Sequence, residues 1–205
     1  GSYIFDSLRP TGNAIFSGGS GASYTYTGHV QNFRKDGFDL HGASNGTNGT
    51  GHTYITWGWK AGTAYTPTAS AYTSPTASIN VAGGFGIYKV TDNSSASGSS
   101  VSHGLGVAPD MIFGKSLANA YNWDVYFRGV TSTSTRLILN SNGAVVTAAV
   151  YPTTPTSTNF YTAGTANHGA GDQIFYVWAA KAGVSAFGTY TGTGGALTVT
   201  YANSN

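Results

Sequence analysis

Seven aspartates and five histidines are the residues here whose side chains suit proton transfer or metal binding; glutamate and cysteine are absent. Cleavage of a glycosidic bond needs two carboxylates flanking it. Asp6, Asp36, Asp39, Asp92, Asp110, Asp124 and Asp172 are scattered, and most adjoin Gly, Asn or Ser. Asp in such company makes turns by bonding its own backbone. His29, His41, His52, His103 and His168 show no short ligand spacing such as H-x-H or H-E-x-x-H. Without cysteine, thiolate sites and disulfides are excluded. "GGSGAS" at 18–23 imitates a nucleophile elbow but no helix follows it. "GTGG" at 192–195 lacks the helix and lysine of a phosphate loop. We therefore expect a non-enzymatic protein with no metal and no cofactor.

Binding is the remaining chemistry. In "ANAYNWDVYF", Tyr121, Asn122 and Trp123 put two aromatic rings beside an amide, a combination suited to a sugar ring. These three are the candidate ligand-binding residues, set against the alternative that Trp123 covers the core. "SHGLGVAPD" places His103, Gly104, Gly106 and Pro109 in a tight turn. Its glycines supply unusual backbone angles, and the imidazole can fix a neighbouring carbonyl.

The elements that must position these residues are strands. Only 8% of residues are charged, against roughly 25% in an average soluble domain. Thr, Val, Tyr and Phe favour strands, and good helix formers are scarce. A net charge of +2 argues against nucleic-acid binding, which needs clustered cations. No apolar run suits a membrane-spanning helix, so no membrane insertion is expected. "IFYVWAA" reads as a strand buried on both faces, and "TYITWGW" as an alternating strand. Asn142-Gly143 and Asp36-Gly37 mark turns, and "NGTNGTG" at 45–51 a polar loop.

Two phrases recur. "HTYITWGWKAG" (52–62) matches "QIFYVWAAKAG" (173–183), aligning Trp57 with Trp178 and Lys60 with Lys181, both 121 residues apart. Phe38 and Phe160 align at 122. "GGFGIYKVTDNSSASG" at 83 is echoed by "SAFGTYTGTGGALTV" at 185. The fold expected is all-β: two related antiparallel β-sandwich (jelly-roll-like) units with almost no helix. Residues 1–62 form the back half of a first unit, 63–82 a Pro/Ser/Thr-rich linker, 83–184 a complete second unit, and 185–205 a strand segment. That last segment is expected either to complete the first unit's sheet, within the chain or from a neighbour, or to be an ordinary edge strand. Trp57, Trp59 and Trp178 are expected in the cores.

These phrases carry a resemblance. "DGFDLHGASNGTNGTGHTYITWGWKAG" and "GGFGIYKVTDNSSASGSSVSHGLGVAPDMIFGKSL" resemble repeat-domain phrases, of uncharacterised function, in virion structural proteins of tailed phages of aquatic bacteria. The second is carried by Gly84, Phe85 and Ile87, by His103–Gly106 with Pro109, and by Met111, Ile112 and Lys115. The resemblance implies a virion-surface, extracellular protein: part of a tail fibre, spike or capsid appendage that contributes to host attachment. It implies other virion proteins as partners, a homo-oligomer (a trimer by analogy), and a host surface glycan as a further ligand. The rival expectation is a secreted carbohydrate-binding module or adhesin.

Overall fold

The computed structural model describes residues 2–26, 28–42, 46–92, 98–164 and 168–200. Its centre is β15, Gly171–Trp178, whose last six residues are all buried. One neighbour is β8, Phe85–Asp92, paired antiparallel with Trp178 opposite Phe85 and Gln173 opposite Val90. The other is β10, Met111–Ser116, with Ile112 opposite Val177. From β10 the sheet runs outward through β11 (Asp124–Phe127), β12 (Thr135–Ile138) and β13 (Val146–Thr147). From β8 it runs through β7 (Tyr72–Asn80) to β6 (Thr63–Tyr65) at the opposite edge. All the pairings of this eight-stranded sheet are antiparallel.

Alternate side chains of a strand face opposite sides of its sheet, and here each side has a core. Phe175 and Val177 join Tyr88, Val90 and Ile112 on one side. There a two-stranded ribbon covers them, β9 (Ser99–Ser102) with β14 (Asn159–Thr162), contributing Val101 and Phe160. Ile174, Tyr176 and Trp178 join Phe85 and Ile87 on the other side. That side meets the N-terminal sheet of β1 (Tyr3–Ile4), β2 (Asn13–Phe16) and β3 (Tyr24–Thr25), through Ile15 and Ile4. The continuous apolar run of β15 is thus the signature of a strand wedged between two cores. The chain is all-β, as its composition implies, and layered as a sandwich.

The N-terminal sheet is locked down by polar contacts as well. Asp6 and Arg9 form a buried ion pair at 2.6 Å. The Tyr176 hydroxyl donates to Asp6 Oδ2 at 2.6 Å, and Arg9 Nη2 donates to the Ile4 carbonyl at 2.9 Å. Each charge is therefore met inside the interface, the condition under which a buried pair is tolerated.

Several boundaries need correction. Residues 63–82 are no linker: they supply β6 and β7. Pro75 is accommodated because the β7–β8 register shifts between Thr73 and Thr76, with Ser74 at φ +48°. A bulge is where a strand tolerates proline. "TYITWGW" forms no strand, and Trp57 (69%) and Trp59 (59%) are exposed, whereas Trp178 is buried. The two matching phrases thus lie in non-equivalent surroundings. Residues 186–200 also belong to no strand and do not join the sheet of residues 3–25. The Asn142-Gly143 hairpin forms between β12 and β13, but as a wide connection over 139–145. Asp36-Gly37 does turn the chain between β4 (Val30–Phe33) and β5 (Phe38–Leu40). Asn45 lies outside the described residues.

Phe175→Ala removes a ring closed off from solvent and is expected to cost about 3–5 kcal/mol in urea unfolding. Trp57→Ala in dilute solution is expected to stay within about 0.5 kcal/mol of the parent. Equal losses would show that the indole is packed after all.

Candidate functional site

Tyr121, Asn122 and Trp123 precede β11 and do not form a sugar platform. Trp123 is fully buried. Its indole Nε1 donates to the Phe16 carbonyl at 3.0 Å, and its ring stacks on Tyr176 at 6.2 Å between centroids. It is the pin between the N-terminal sheet and the main sheet. Asn122 Oδ1 accepts from Asn140 Nδ2 at 2.9 Å, and only Tyr121 is well exposed. The apolar environment claims the largest ring, which leaves one exposed aromatic rather than a pair.

The turn at 103 is built as its residues suggest. His103 is buried; Gly104 and Gly106 adopt φ +67° and +78°. A Cβ on Gly104 would approach Ile79 and the Tyr65 ring at 3.1 Å. The Leu105 amide donates to His103 Nδ1 at 3.1 Å, and His103 Nε2 lies 3.0 Å from the Thr156 carbonyl. The imidazole is therefore neutral with its proton on Nε2, since Nδ1 must accept. Burial pushes its pKa below the ordinary 6.5, outweighing the opposing bond to Thr156. Pro109 is buried where the turn ends, and Arg128 Nη2 donates to its carbonyl at 3.1 Å.

A buried charged cluster was not legible in the sequence. Asp124, on β11, is fully buried. Its Oδ1 meets Arg136 of β12, and its Oδ2 lies 2.8 Å from His168 Nε2. That approach falls outside hydrogen-bond angles, so the two atoms are close without an aligned bond. The Tyr151 hydroxyl donates to the Asp124 carbonyl at 3.0 Å. A His–Asp dyad resembles part of a hydrolytic triad, but His168 is fully buried and packed edge-on against Phe175 at 6.0 Å. The cluster ties the β11–β12 hairpin to the segment around His168.

Lys115 on β10 is also fully buried. Its ammonium donates to the carbonyls of Ser116 (2.9 Å) and Ser20 (3.2 Å), and burial pushes its pKa down to about 8. Five of the seven aspartates are in ion pairs: Asp6, Asp39, Asp110, Asp124 and Asp172. Turn formation accounts for Asp6, whose Oδ1 accepts from the Leu8 and Arg9 amides, but ion pairing is the wider role. No group of three or more metal-ligating side chains converges among the described residues.

What remains on the surface is apolar. Ile55 (77%), Trp57 and Trp59 are exposed in the strandless segment 52–62, and Tyr190 (71%) in the strandless segment 186–200, with exposed Val184 just before it. The Trp59 ring sits 5.7 Å from Trp178, edge-on, and 6.4 Å from Phe85. Phe187 packs against the same core. Both segments therefore depart from the rim of the main sheet where β15 ends and β8 begins. These exposed apolar side chains are the candidate functional feature, since large exposed apolar groups mark interaction sites.

The fold and this surface define an all-β domain organised on one eight-stranded antiparallel sheet. The chain belongs to the family described as a domain of unknown function, DUF7483, whose model matches residues 2–202. No curated protein and no solved structure gives a significant match.

Two outcomes follow. Asp124→Asn leaves Arg136 without its buried countercharge and is expected to cost about 3–5 kcal/mol, read by denaturant unfolding. For pH, the unfolded chain protonates His103 near 6.5 and the native chain only below that. The turn's contribution is complete above pH 6.5 and is lost as the pH falls towards the native value, because protonated Nδ1 cannot accept from Leu105. Midpoints measured from pH 7.5 to 5 should fall more steeply for the parent than for His103→Gln.

Proposed function

We propose that this protein is a non-enzymatic structural component of a phage virion, part of a tail fibre, spike or capsid appendage at the virion surface. The observation that carries this is the exposure of large apolar side chains in the strandless segments 52–62 and 186–200. Ile55, Trp57, Trp59 and Tyr190 offer large side chains outside any strand, on a chain whose ionic groups are few and mostly paired. Such a surface suits permanent contact with other proteins, because apolar area shielded by assembly stabilises it without long-range steering. The phrases around 36–62 and 83–117 supply the virion context. A contribution to host attachment fits the same position, with Tyr121 as the remaining exposed member of the aromatic trio.

A secreted carbohydrate-binding module would use the exposed indoles as stacking platforms instead. Antibody raised against the purified protein and applied to intact phage particles is expected to label a tail or capsid appendage in electron micrographs. Absence of label on particles, together with glycan-array binding that Trp57→Ala abolishes, would replace the virion assignment with the module.

A further inference from the structure

The N-terminal sheet repeats part of the main sheet residue for residue. In β1–β2, Tyr3 faces Phe16 and Ile4 faces Ile15. In β11–β12, Asp124 faces Ile138 and Val125 faces Leu137. Moving the first strand by 121 residues and the second by 122 superposes the two registers. β2–β3 and β12–β13 agree at 122 throughout: Asn13 faces Thr25 as Thr135 faces Thr147, and Ala14 faces Tyr24 as Arg136 faces Val146. Backbone bonds outside the strands follow suit. The Ser17 amide donates to Ser2 as Leu139 does to Trp123, Asn13 to Pro10 as Thr135 to Ser132, and Arg34 to Gly37 as Thr156 to Asn159. Register is set by side-chain pattern and turn length together, so agreement at this many positions marks one structural unit present twice.

The agreement stops at the matching tryptophan phrases. By the same offset of 121, β15 corresponds to residues 50–57. β15 pairs with β8, and the echo of β8 is residues 187–194, with Phe85, Gly86 and Tyr88 corresponding to Phe187, Gly188 and Tyr190. Both echoes are present in the described chain, yet no ladder joins them and neither forms a strand. Their side chains at Ile55, Trp57 and Tyr190 face solvent. We infer that residues 187–194 of one copy of this chain pair antiparallel with residues 50–57 of a second copy, in the register Trp57 opposite Phe187 and Ile55 opposite Thr189. The second copy is the occupant because the single folded chain holds both segments and forms no ladder between them.

Such a contact is heterologous: one copy gives the C-terminal strand and receives a neighbour's at its own 50–57 segment. It closes into a ring or propagates as a filament, according to the rotation between copies. The pairing satisfies exposed backbone groups and covers the indoles, the mode by which a strand is added to a receptive chain. This inference goes beyond the virion assignment and does not depend on it, since it concerns only what the isolated protein does with itself.

The chain has no cysteine, so a disulfide trap is clean. Directly opposed residues in an antiparallel pair have Cα atoms about 4.5–5.5 Å apart, within disulfide reach. The double variant Ile55→Cys with Thr189→Cys, mildly oxidised, is expected to give reducible dimers and larger species. The out-of-register control Ile55→Cys with Thr198→Cys should give no disulfide-linked dimers. All three positions are exposed, so folding is preserved and is checked by circular dichroism. Native mass spectrometry of the parent chain should show oligomers, and Gly188→Pro, which lacks the amide that corresponds to the one Gly86 turns towards β15, should weaken them about tenfold or more. A purely intramolecular disulfide, equal cross-linking of the control, no cross-linking, or a parent chain that stays monomeric overturns the inference.

Discussion

One strand belongs to two cores, and the rest of the fold is arranged around that constraint. β15 cannot face water on either side, because Phe175 and Val177 point one way and Ile174, Tyr176 and Trp178 the other. A single sheet with one covered face would leave half of these rings wet. Both covers are therefore obligatory: the β9–β14 ribbon on one side and the N-terminal sheet on the other. Each fully buried large side chain contributes about 1.5–3 kcal/mol relative to exposure, so neither cover can be lost without large cost. Close approach at the strand's end is equally strict. Gly84, at φ +63°, lies where a Cβ would come within 2.1 Å of the Ala179 carbonyl.

The interior also holds much of the chain's ionic chemistry. Asp6 with Arg9, and Asp124 with Arg136 and His168, are sealed between layers, and Lys115 is surrounded by carbonyls. Buried charges of this kind contribute little net stability, but they penalise any packing that separates them. Each cluster joins separate pieces of the chain. Asp6 reaches Tyr176 across the N-terminal interface, and Asp124 connects β11, β12 and the segment at His168. They act as alignment marks that add to the register the apolar pattern already sets.

Much of this was legible in the amino-acid order because local signals and burial agreed. The run 174–179 announces a doubly buried strand, Asp36-Gly37 a turn, and His103 with its glycines a fixed corner. Where the sequence misled, tertiary context decided. "TYITWGW" has strand alternation but joins no ladder among the described residues, and alternation without a ladder is only a capacity to pair. Residues 63–82 look like a linker because Pro75 and the small residues suppress strand propensity, yet a bulge at Ser74 absorbs the proline. Trp123 looked like a ligand platform because exposure cannot be read from residue type. The Asp124–His168 approach was invisible because its members lie far apart in sequence and share no motif spacing.

The scarcity of free charge has a consequence for where such a molecule can work. Most of its carboxylates already have a cationic neighbour, and the outer surface is wetted by hydroxyls, amides and backbone. At the ionic strength of seawater, several tenths molar, the Debye length shrinks to about 3–8 Å and surface ion pairs fade. A protein held by apolar layers and sealed internal pairs has little left for dissolved salt to screen. It therefore keeps the same shape and cohesion in brine as in fresh water.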